Sequence, residues 1–394
     1  MTRFFIFFMV MFVCAQFLPA EELRRYPDIY QSDTDGDFPI SNEDFSHGYI
    51  LSFDADDIVT NCNFEGTTIE MARFSCDKNC NLKDTWVLNG TIDLAQEQWV
   101  QTRNFKMKRF KEIVFHKNIF RNLDFSDFKF EHSGFYDVQF VNCNFENAVF
   151  QCCTMPVMSV ENWKQTWNYR NGALHTLRIK QDFNNIDLSR CAISGFVWNN
   201  NTTTAGIRTP SPSIGKGVDL TDTVFFLCDL RKSKDLTPEQ VRQTWNFKNG
   251  RMDLVQWPVH IVKSLDLPRY LSPNKWKFQD EYFEIWNLEQ MKDLDERFRA
   301  NILFMGLSSG KVYQTDLSKM LFFHCAFVFL MKETDISDAV FLDCDLTAPP
   351  DLTLEQVKST WNYKAGRMSL CKWPKHIEKA LEEEEKAKAQ EEKK

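Results

Sequence analysis

Residues 105–150 read FKMKRF-KEIVF-HKNIF-RNLDF-SDFKF-EHSGF-YDVQF-VNCNF-ENAVF, so phenylalanine occupies every fifth position. A regular helix would spread these side chains around its whole circumference, and a flat strand would turn them alternately to opposite faces. A five-residue period therefore requires a chain that bends once per pentad and buries its apolar side by stacking successive coils. The period predicts a solenoid over this segment.

The residue two places before each phenylalanine is mostly small or apolar, whereas the positions between are largely polar. Two residues of every five are therefore predicted to face the interior. The same spacing recurs around Phe64, Leu188, Phe225 and Phe341. We expect several blocks of coils, at 51–93, 110–157, 174–235 and 311–351.

Two segments, Asn142-Cys143-Asn144-Phe145 and Asp343-Cys344-Asp345-Leu346, resemble the repeat of the pentapeptide repeat superfamily, in which a small residue precedes a central Leu or Phe by two places. The resemblance implies a mainly β fold, a right-handed quadrilateral β-helix with one pentad on each side. Family members are mostly known as non-catalytic interaction surfaces. Phe128 and Asn118 depart from the pattern, and the phase breaks between blocks. We therefore expect several short runs of coils interrupted by short α-helices.

A longer repeat separates the coil blocks. The segment LTPEQVRQTWNFKNGRM at 236–252 returns as LTLEQVKSTWNYKAGRM at 352–368, with a third copy at 158–174 and a degenerate one at 94–110. The initial threonine suits a helix N-cap, and Gly250 or Gly366 suits a helix stop, so each copy is predicted to be a short helix.

The tryptophans of this repeat are Trp167, Trp245 and Trp361. A large apolar ring beside a helix end is ordinary packing, so we expect them to anchor each helix to its coil. A ligand-binding surface of aromatic planes is the alternative. His260 and His376 occupy equivalent places in a duplicated tail, which indicates a copied structural role.

The degenerate helix changes where the stack of phenylalanines begins. Alignment with the other copies places Phe105 opposite Tyr169, Phe247 and Tyr363, and Lys108 opposite the stopping glycines. Phe105 is therefore predicted to belong to the helix, and the coil interior to begin at Phe110. The predicted interior contains Phe110, Phe115, Phe120, Phe125, Phe130, Phe135, Phe140, Phe145, Phe150, Cys143, Cys191, Cys228 and Cys344.

The N-terminus resembles a secretory signal peptide, with Arg3 before the apolar run 4–13 and small residues at Ala15 and Ala20. The run is too short for a comfortable membrane span of ~20 residues. We expect a secreted or periplasmic chain without an integral membrane domain after cleavage at Ala15 or Ala20. An uncleaved N-terminal tether is the alternative.

Charge is concentrated near the N-terminus: residues 21–60 carry −9, whereas residues 61–381 carry +2. Some members of the resembled family imitate DNA and bind topoisomerases, which requires a strongly negative rod in the cytoplasm. The near-neutral coils and the predicted signal peptide disfavour that function. No basic stripe indicates nucleic-acid binding.

The twelve cysteines favour packing over a disulfide framework, because most occupy the small inward position of a pentad, where a free thiol acts as a compact apolar group. Cys76 and Cys80 fall outside that register. They are the best candidates for a disulfide, although the short gap between them leaves the geometry open.

Few residues suggest chemistry. Asp33, Asp35 and Asp37 resemble the centre of a calcium-binding loop, but Gln31 and Asn42 stand where acidic ligands are expected, so a plain acidic linker is favoured. The seven histidines form no metal-ligand pair at recognisable spacing. We expect no cofactor.

The chain is thus divided into a signal peptide (1–20), an acidic linker (21–50), a coil block (51–93), a degenerate helix (94–109), the phenylalanine coils (110–157), a helix (158–173), a coil block with an exposed loop at 200–217 (174–235), a helix (236–251), a linker with a helical insertion (252–310), a coil block (311–351), a helix with the tail motif (352–381) and a charged tail (382–394).

The expected function is that of a non-catalytic extracytoplasmic β-solenoid, which presents an interaction or scaffold surface to a protein or envelope partner. One alternative is a hydrolytic or carbohydrate-active enzyme with a site formed across coils, for which the insertion at 266–310 is the first place to look. A calcium-assisted surface protein and a cytoplasmic DNA mimic are the others.

Overall fold

The computed structural model describes residues 24–26, 29–30, 40–179, 181–194, 196–197, 207–208, 213–267, 303–305, 316–323, 325–327, 331 and 333–391. The chain divides into two compact units, Met1–Cys143 and Asn144–Lys394. Most strands pair in parallel, and the helices are few and mostly short. The prediction of a mainly β chain is confirmed.

Parallel sheets make up the first unit. Its strands are β1 (Arg24–Tyr26), β2 (Ile29–Tyr30), β3 (Gly48–Val59), β4 (Thr68–Cys76), β5 (Trp86–Asp93), β6 (Arg109–Lys111), β7 (Ile113–His116), β8 (Ile119–Arg121), β9 (Lys129–Glu131), β10 (Gly134–Tyr136) and β11 (Gln139–Val141). A seven-stranded sheet has the order β1-β3-β4-β5-β7-β10, with β2 also paired to β3. Strands β6 and β9 form a second parallel pair, and β8 and β11 a third.

Parallel neighbours in the phenylalanine segment are twenty positions apart. Phe110 pairs with Phe130, and Phe115 pairs with Phe135. The rings of the second pair are 5.0 Å apart and only 5° from parallel, and those of the first pair are 5.6 Å apart and 12° from parallel. Four pentads therefore separate one strand from its neighbour, which brings equivalent phenylalanines into contact.

One residue in each pentad turns the backbone. From Phe115 to Phe150, the residue three places before each central phenylalanine has a positive φ between 51° and 61°, and so has Cys152, three places before Met155. These residues are Glu112, Lys117, Asn122, Asp127, His132, Asp137, Asn142, Asn147 and Cys152. Asn and Asp tolerate this left-handed conformation better than most residues, which explains their frequency here. The bend that the five-residue period requires is made at this position.

The N-terminal part of the first unit differs from its prediction. β1 and β2 lie within the predicted linker, yet both pair with β3. In the predicted coil block 51–93, β3 and β4 run for 12 and 9 residues. Among the described residues of these two strands none has a positive φ, and the pairing of β3 with β4 shifts in register between Asp54 and Ile58.

The second unit contains the remaining strands: β12 (Val149–Gln151), β13 (Ala192–Ser194), β14 (Phe196–Val197), β15 (Ile207–Arg208), β16 (Val224–Phe226), β17 (Cys228–Asp229), β18 (Val255–Gln256), β19 (Leu303–Met305), β20 (Leu321–Phe323) and β21 (Val340–Leu342). Strand β13 pairs with β16, β17 with β18, and β20 with both β19 and β21, all in parallel. β14 and β15 pair antiparallel within the region predicted as coil and loop.

The helices follow the longer repeat. They are α1 (Gln96–Trp99) and α2 (Arg103–Lys106) in the first unit, and α3 (Val160–Gln165), α4 (Trp167–Arg170), α5 (Pro238–Gln243), α6 (Trp245–Lys248), α7 (Val259–Ser264), α8 (Leu354–Ser359), α9 (Trp361–Lys364) and α10 (Lys375–Glu391) in the second. Helix α10 extends through most of the predicted charged tail.

Each predicted helix is in fact a pair of helices. The break is the threonine of the Thr-Trp-Asn motif, whose backbone is extended at ψ values near 150°. The Thr244 hydroxyl donates a hydrogen bond to Val241 O at 2.7 Å and accepts one from Phe247 N at 3.2 Å. One buried side chain thus satisfies the end of the first helix and caps the second.

Two further predictions need correction. The predicted exposed loop at 200–217 includes Ile214, which is fully buried and forms a parallel bridge with Phe183. Its apolar side chain and that pairing make it part of a coil. Strand β19, in the predicted helical insertion, pairs with β20. Residues 268–302 and the signal peptide lie outside the described residues.

Candidate functional site

The predicted interior side chains fill the centres of the coils. All of them are buried except Phe140, which is half-buried although its ring lies 5.5 Å from that of Phe120. Phe105 lies in α2, outside the interior, and contacts the ring of Phe128 at 5.0 Å. Phe128 itself is buried, so the small-residue position accepts a large ring. These side chains form packed cores.

The asparagine of the Thr-Trp-Asn motif holds each helix pair to its coil. Asn246 is fully buried, accepts a hydrogen bond from Phe225 N at 2.8 Å and donates one to Phe225 O at 2.8 Å. Asn104, Asn168 and Asn362 make the equivalent bonds to the backbones of Val87, Phe150 and Phe341. The side-chain amide therefore makes the two hydrogen bonds that the backbone of a neighbouring strand would otherwise make.

A glutamine supports three of the four helix pairs. Gln240 completes a capping box with Thr237 and donates its amide to Val218 O at 2.9 Å. Gln356 completes a capping box with Thr353 and donates its amide to Thr334 O. Gln98 donates its amide to Asp77 O. The third copy has the half-buried Asn162 at this place.

Trp245 and Trp361, which are predicted to anchor each helix to its coil, also make long-range hydrogen bonds. The indole N–H of Trp245 donates to Asp338 O at 3.1 Å, and that of Trp361 donates to Asp222 O at 3.0 Å. Trp245 therefore joins its helix pair to the segment that precedes Trp361. Trp361 likewise joins its helix pair to the segment that precedes Trp245. Trp167 is half-buried.

Two arginines repeat this reciprocal arrangement. Arg251 donates to Lys319 O at 2.9 Å, and Arg367 donates to Arg190 O at 2.7 Å. Both acceptors belong to residues with positive φ at the bends of a coil. The segments before and after residues 268–302 are therefore joined by matched hydrogen bonds in both directions.

The residues that flank the central phenylalanines form the interface between these two blocks. Phe226 and Phe323 approach each other with ring centroids 5.6 Å apart. The flanking residues of β16, β20 and β21 are buried as completely as the central ones: Val224, Phe226, Leu321, Phe323, Val340 and Leu342. This outward surface of the second unit is an intramolecular interface.

On strands β6 and β9 of the first unit the equivalent positions are charged, and they are exposed except for the half-buried Glu131. Arg109 and Lys111 flank Phe110, and Lys129 and Glu131 flank Phe130. Arg109 forms an ion pair with Glu131 at 2.7 Å, while Lys129 lies beside Arg109 in the strand register. We call the outward residues Arg109, Lys111, Lys129 and Glu131 the β6–β9 face.

The buried histidine of the second unit lies beside thiols. His175 Nε2 is 3.2 Å from Asp343 Oδ2. Burial, together with the Asp343 carboxylate, raises the pKa of Cys152 to about 12 and raises that of Cys371 well above its ordinary value. Both thiols are protonated at neutral pH, so neither is a ready nucleophile. His260 and His376 contact the Leu236 and Leu352 carbonyls, as a copied structural role requires.

Asp33, Asp35 and Asp37 lie outside the described residues. In the part of the chain that the structure describes, no group of three or more His, Cys, Asp and Glu side chains could hold a metal ion. Within those same residues, no helix has the length and apolar character needed to cross a membrane.

Comparison with known proteins adds no relative. No family model matches the chain, and no curated protein or solved structure shows significant similarity to it.

Two features of this site escaped the sequence-based predictions. The asparagine follows the tryptophan in three copies and persists as Asn104 where Arg103 replaces the tryptophan, which marks it as the common anchor. The flanking residues read RFK and KFE in β6 and β9, but VFF, LFF and VFL in β16, β20 and β21. That change from charged to apolar residues was the available signal for a buried outward face.

Proposed function

We propose that both units are right-handed β-solenoids of the pentapeptide repeat type, and that the protein is a non-catalytic, extracytoplasmic scaffold whose first unit binds a protein or envelope partner. The twenty-residue register and the residue of positive φ in each pentad support the solenoid. The apolar run after Arg3 supports export.

The observation that carries the binding function is the contrast between the two outward surfaces. In the second unit, the residues flanking the central phenylalanines make a protein–protein interface within one chain. The β6–β9 face of the first unit offers the same strand geometry, with Arg109, Lys111 and Lys129 exposed and Glu131 half-buried. Such a face can accept a partner without rearrangement of the coil beneath it, because the Phe110 and Phe130 rings are held in the interior.

Charge gives the face its preference. Arg109, Lys111 and Lys129 lie on adjacent strands, Glu131 partly neutralises Arg109, and Glu112 lies 3.5 Å from Lys111. The residual positive charge favours an acidic partner surface, and contacts of this kind mainly raise the association rate and depend on ionic strength.

Charge reversal tests this proposal. The variant Arg109→Glu, Lys111→Glu, Lys129→Glu is compared with Lys234→Glu, Arg242→Glu, Lys263→Glu, which reverses three exposed cations of the second unit. Partners are captured from envelope and culture fractions and quantified. We expect the first variant to retain at least tenfold less of a partner that the wild type and the control both retain.

Equal retention of the partner by both variants would show that the β6–β9 face does not bind it. N-terminal sequencing of the natural protein tests export separately: a mature chain that starts after Ala15 or Ala20 is expected, and an unprocessed chain in a cytoplasmic extract would overturn the proposed location.

A further inference from the structure

Two parts of the second unit contact each other through a duplicated set of groups. We call the described residues of 173–267 the N-terminal block and those of 303–391 the C-terminal block. Each block carries one copy of the longer repeat, followed by the duplicated tail. The two contacting surfaces are therefore built from related sequences.

The tryptophan contacts join equivalent positions of the two blocks. Trp245 of the N-terminal block donates to Asp338 O, and Trp361 of the C-terminal block donates to Asp222 O. Asp222 and Asp338 stand at the same distance before their own tryptophan, and each carboxylate pairs with a lysine of its own block. Each block therefore supplies both the donor and the acceptor of this contact.

The arginine contacts follow the same plan. Arg251 donates to Lys319 O, and Arg367 donates to Arg190 O. The two arginines occupy the same place in the longer repeat, and their acceptors end the matching segments DLSK and DLSR. A surface that carries both halves of a contact is self-complementary in kind, which is the property that two copies of one protein use when they pair.

The apolar part of these surfaces is covered by the opposite block. The rings of Phe226 in the N-terminal block and Phe323 in the C-terminal block lie 5.6 Å apart, and both side chains are buried. A block that lost its cover would expose its ring and the apolar neighbours of that ring, and large apolar patches of this kind act as binding surfaces. A second copy of the chain carries the matching cover.

The covalent connection between the blocks supplies none of these contacts. The four hydrogen bonds and the pair of rings all lie outside residues 268–302. A connection favours pairing within one chain through an effective concentration that reaches the order of millimolar. A block of a second copy therefore takes the same place when the blocks of one chain have separated or no longer fit each other.

We propose that this interface also joins two copies of the chain in an exchanged dimer, in which the N-terminal block of each copy pairs with the C-terminal block of the other. The dimer contains two such interfaces and needs no new contact surface. Exchange of identical elements is a low-cost route to dimers, because each contact is replaced by the same contact. The β6–β9 face takes no part, so this proposal does not depend on the proposed binding function.

A mixture of two variants of the full chain tests the exchange. Phe226→Asp places a charge in the surface of the N-terminal block, and Phe323→Asp does so in that of the C-terminal block. Either variant alone has an Asp in every pairing open to it. An exchanged dimer of the two variants has one interface in which Phe226 of one copy meets Phe323 of the other. The variants carry different affinity tags, so mixed dimers are captured by one tag and quantified by the other.

The control mixture contains two differently tagged copies of Phe226→Asp, which form no intact interface in any pairing. We expect the test mixture to yield about tenfold more mixed dimer than the control, or a larger excess, with the mass of two chains by light scattering. Equal yields in the two mixtures, or monomers alone in the test mixture, would overturn the proposal.

Wild-type chains provide a second measurement, which does not require the variants to fold. Differently tagged wild-type copies are held together at high concentration in urea at the unfolding midpoint and are then returned to buffer. Mixed dimers are expected to form and to increase with protein concentration, whereas copies mixed without urea are expected to remain monomers. A lack of mixed dimers at every concentration, or their formation to the same extent without urea, would contradict the exchange.

Discussion

Strand β6 in the first unit and strand β16 in the second place a central phenylalanine in two different surroundings. Each has a fully buried central phenylalanine, Phe110 or Phe225. Arg109 and Lys111 flank the first and are exposed, whereas apolar residues flank the second and are buried. The interior pattern thus defines the coil, and the flanking residues decide whether that coil meets solvent or another block.

The difference separates two sources of stability. Interior phenylalanines and the motif asparagines act within a block, so they are expected to matter equally in both units. Flanking side chains contribute much only where a second block removes them from water. The following substitutions test this division, starting with the largest expected effect.

Phe226→Ala is expected to lower the free energy of unfolding by about 3 to 5 kcal/mol, because it leaves a cavity against Phe323 between the two blocks. Lys111→Ala, at the equivalent position after the central phenylalanine of β6, is expected to change it by less than ~0.5 kcal/mol. Urea denaturation followed by tryptophan fluorescence measures both. Similar losses in the two variants would show that flanking residues are not distinguished by their surroundings.

Asn246→Ala and Asn104→Ala are expected to cost the same, about 2 to 4 kcal/mol each, because either change leaves a buried backbone N–H and C=O without a partner. The first substitution affects Phe225 and the second Val87. Denaturation curves of both variants check the equality. A large cost in one unit and none in the other would mean that the anchor is not a shared device.

Trp245→Phe and Trp361→Phe are each expected to cost about 1 to 2 kcal/mol, because each loses an indole hydrogen bond and part of a buried ring. The half-buried Trp167 provides the control, and Trp167→Phe is expected to cost less. If all three changes have the same effect on the denaturation midpoint, the reciprocal contacts to Asp338 and Asp222 contribute nothing measurable.

Gly250→Ala is expected to cost about 1 kcal/mol, because φ is +69° and a Cβ would meet no other atom within 4 Å. Gly172→Ala should cost more, since its Cβ would lie 2.7 Å from Arg190 O. Lys108 has φ +52° at the equivalent place, so Lys108→Gly is expected to be mildly stabilising. Thermal melting of the three variants ranks them. A neutral Gly250→Ala would show that this helix stop does not require the left-handed conformation.

Much of the interior could be predicted from the sequence because a five-residue period allows few backbone paths. The alignment of Lys108 with the stopping glycines identified a residue that the structure also places at positive φ. The threonine break was harder to predict, because Thr244 lies within an uninterrupted helical pattern. Only the two hydrogen bonds of its hydroxyl show that the helix ends and begins again there.

The five-residue period alone could not predict the interface between the two blocks of the second unit. A tryptophan beside a helix end is equally compatible with its own coil and with another, and the partners of Trp245 and Trp361 are 93 and 139 positions away in sequence. Contacts this distant leave no local pattern. The apolar flanks of β16, β20 and β21 do indicate burial, but they do not name the surface that covers them.

Hydroxyl-radical footprinting of the unmodified protein tests the central claim most directly, because side-chain oxidation follows exposure. Met107, which is 57% exposed, and Tyr136, which is 37% exposed, are expected to be oxidised readily, while Phe226 and Phe323 remain protected until the protein unfolds. Oxidation of Phe226 and Phe323 at the rate of Tyr136 would contradict the account. The two blocks of the second unit, which carry Phe226 and Phe323, would then not cover each other.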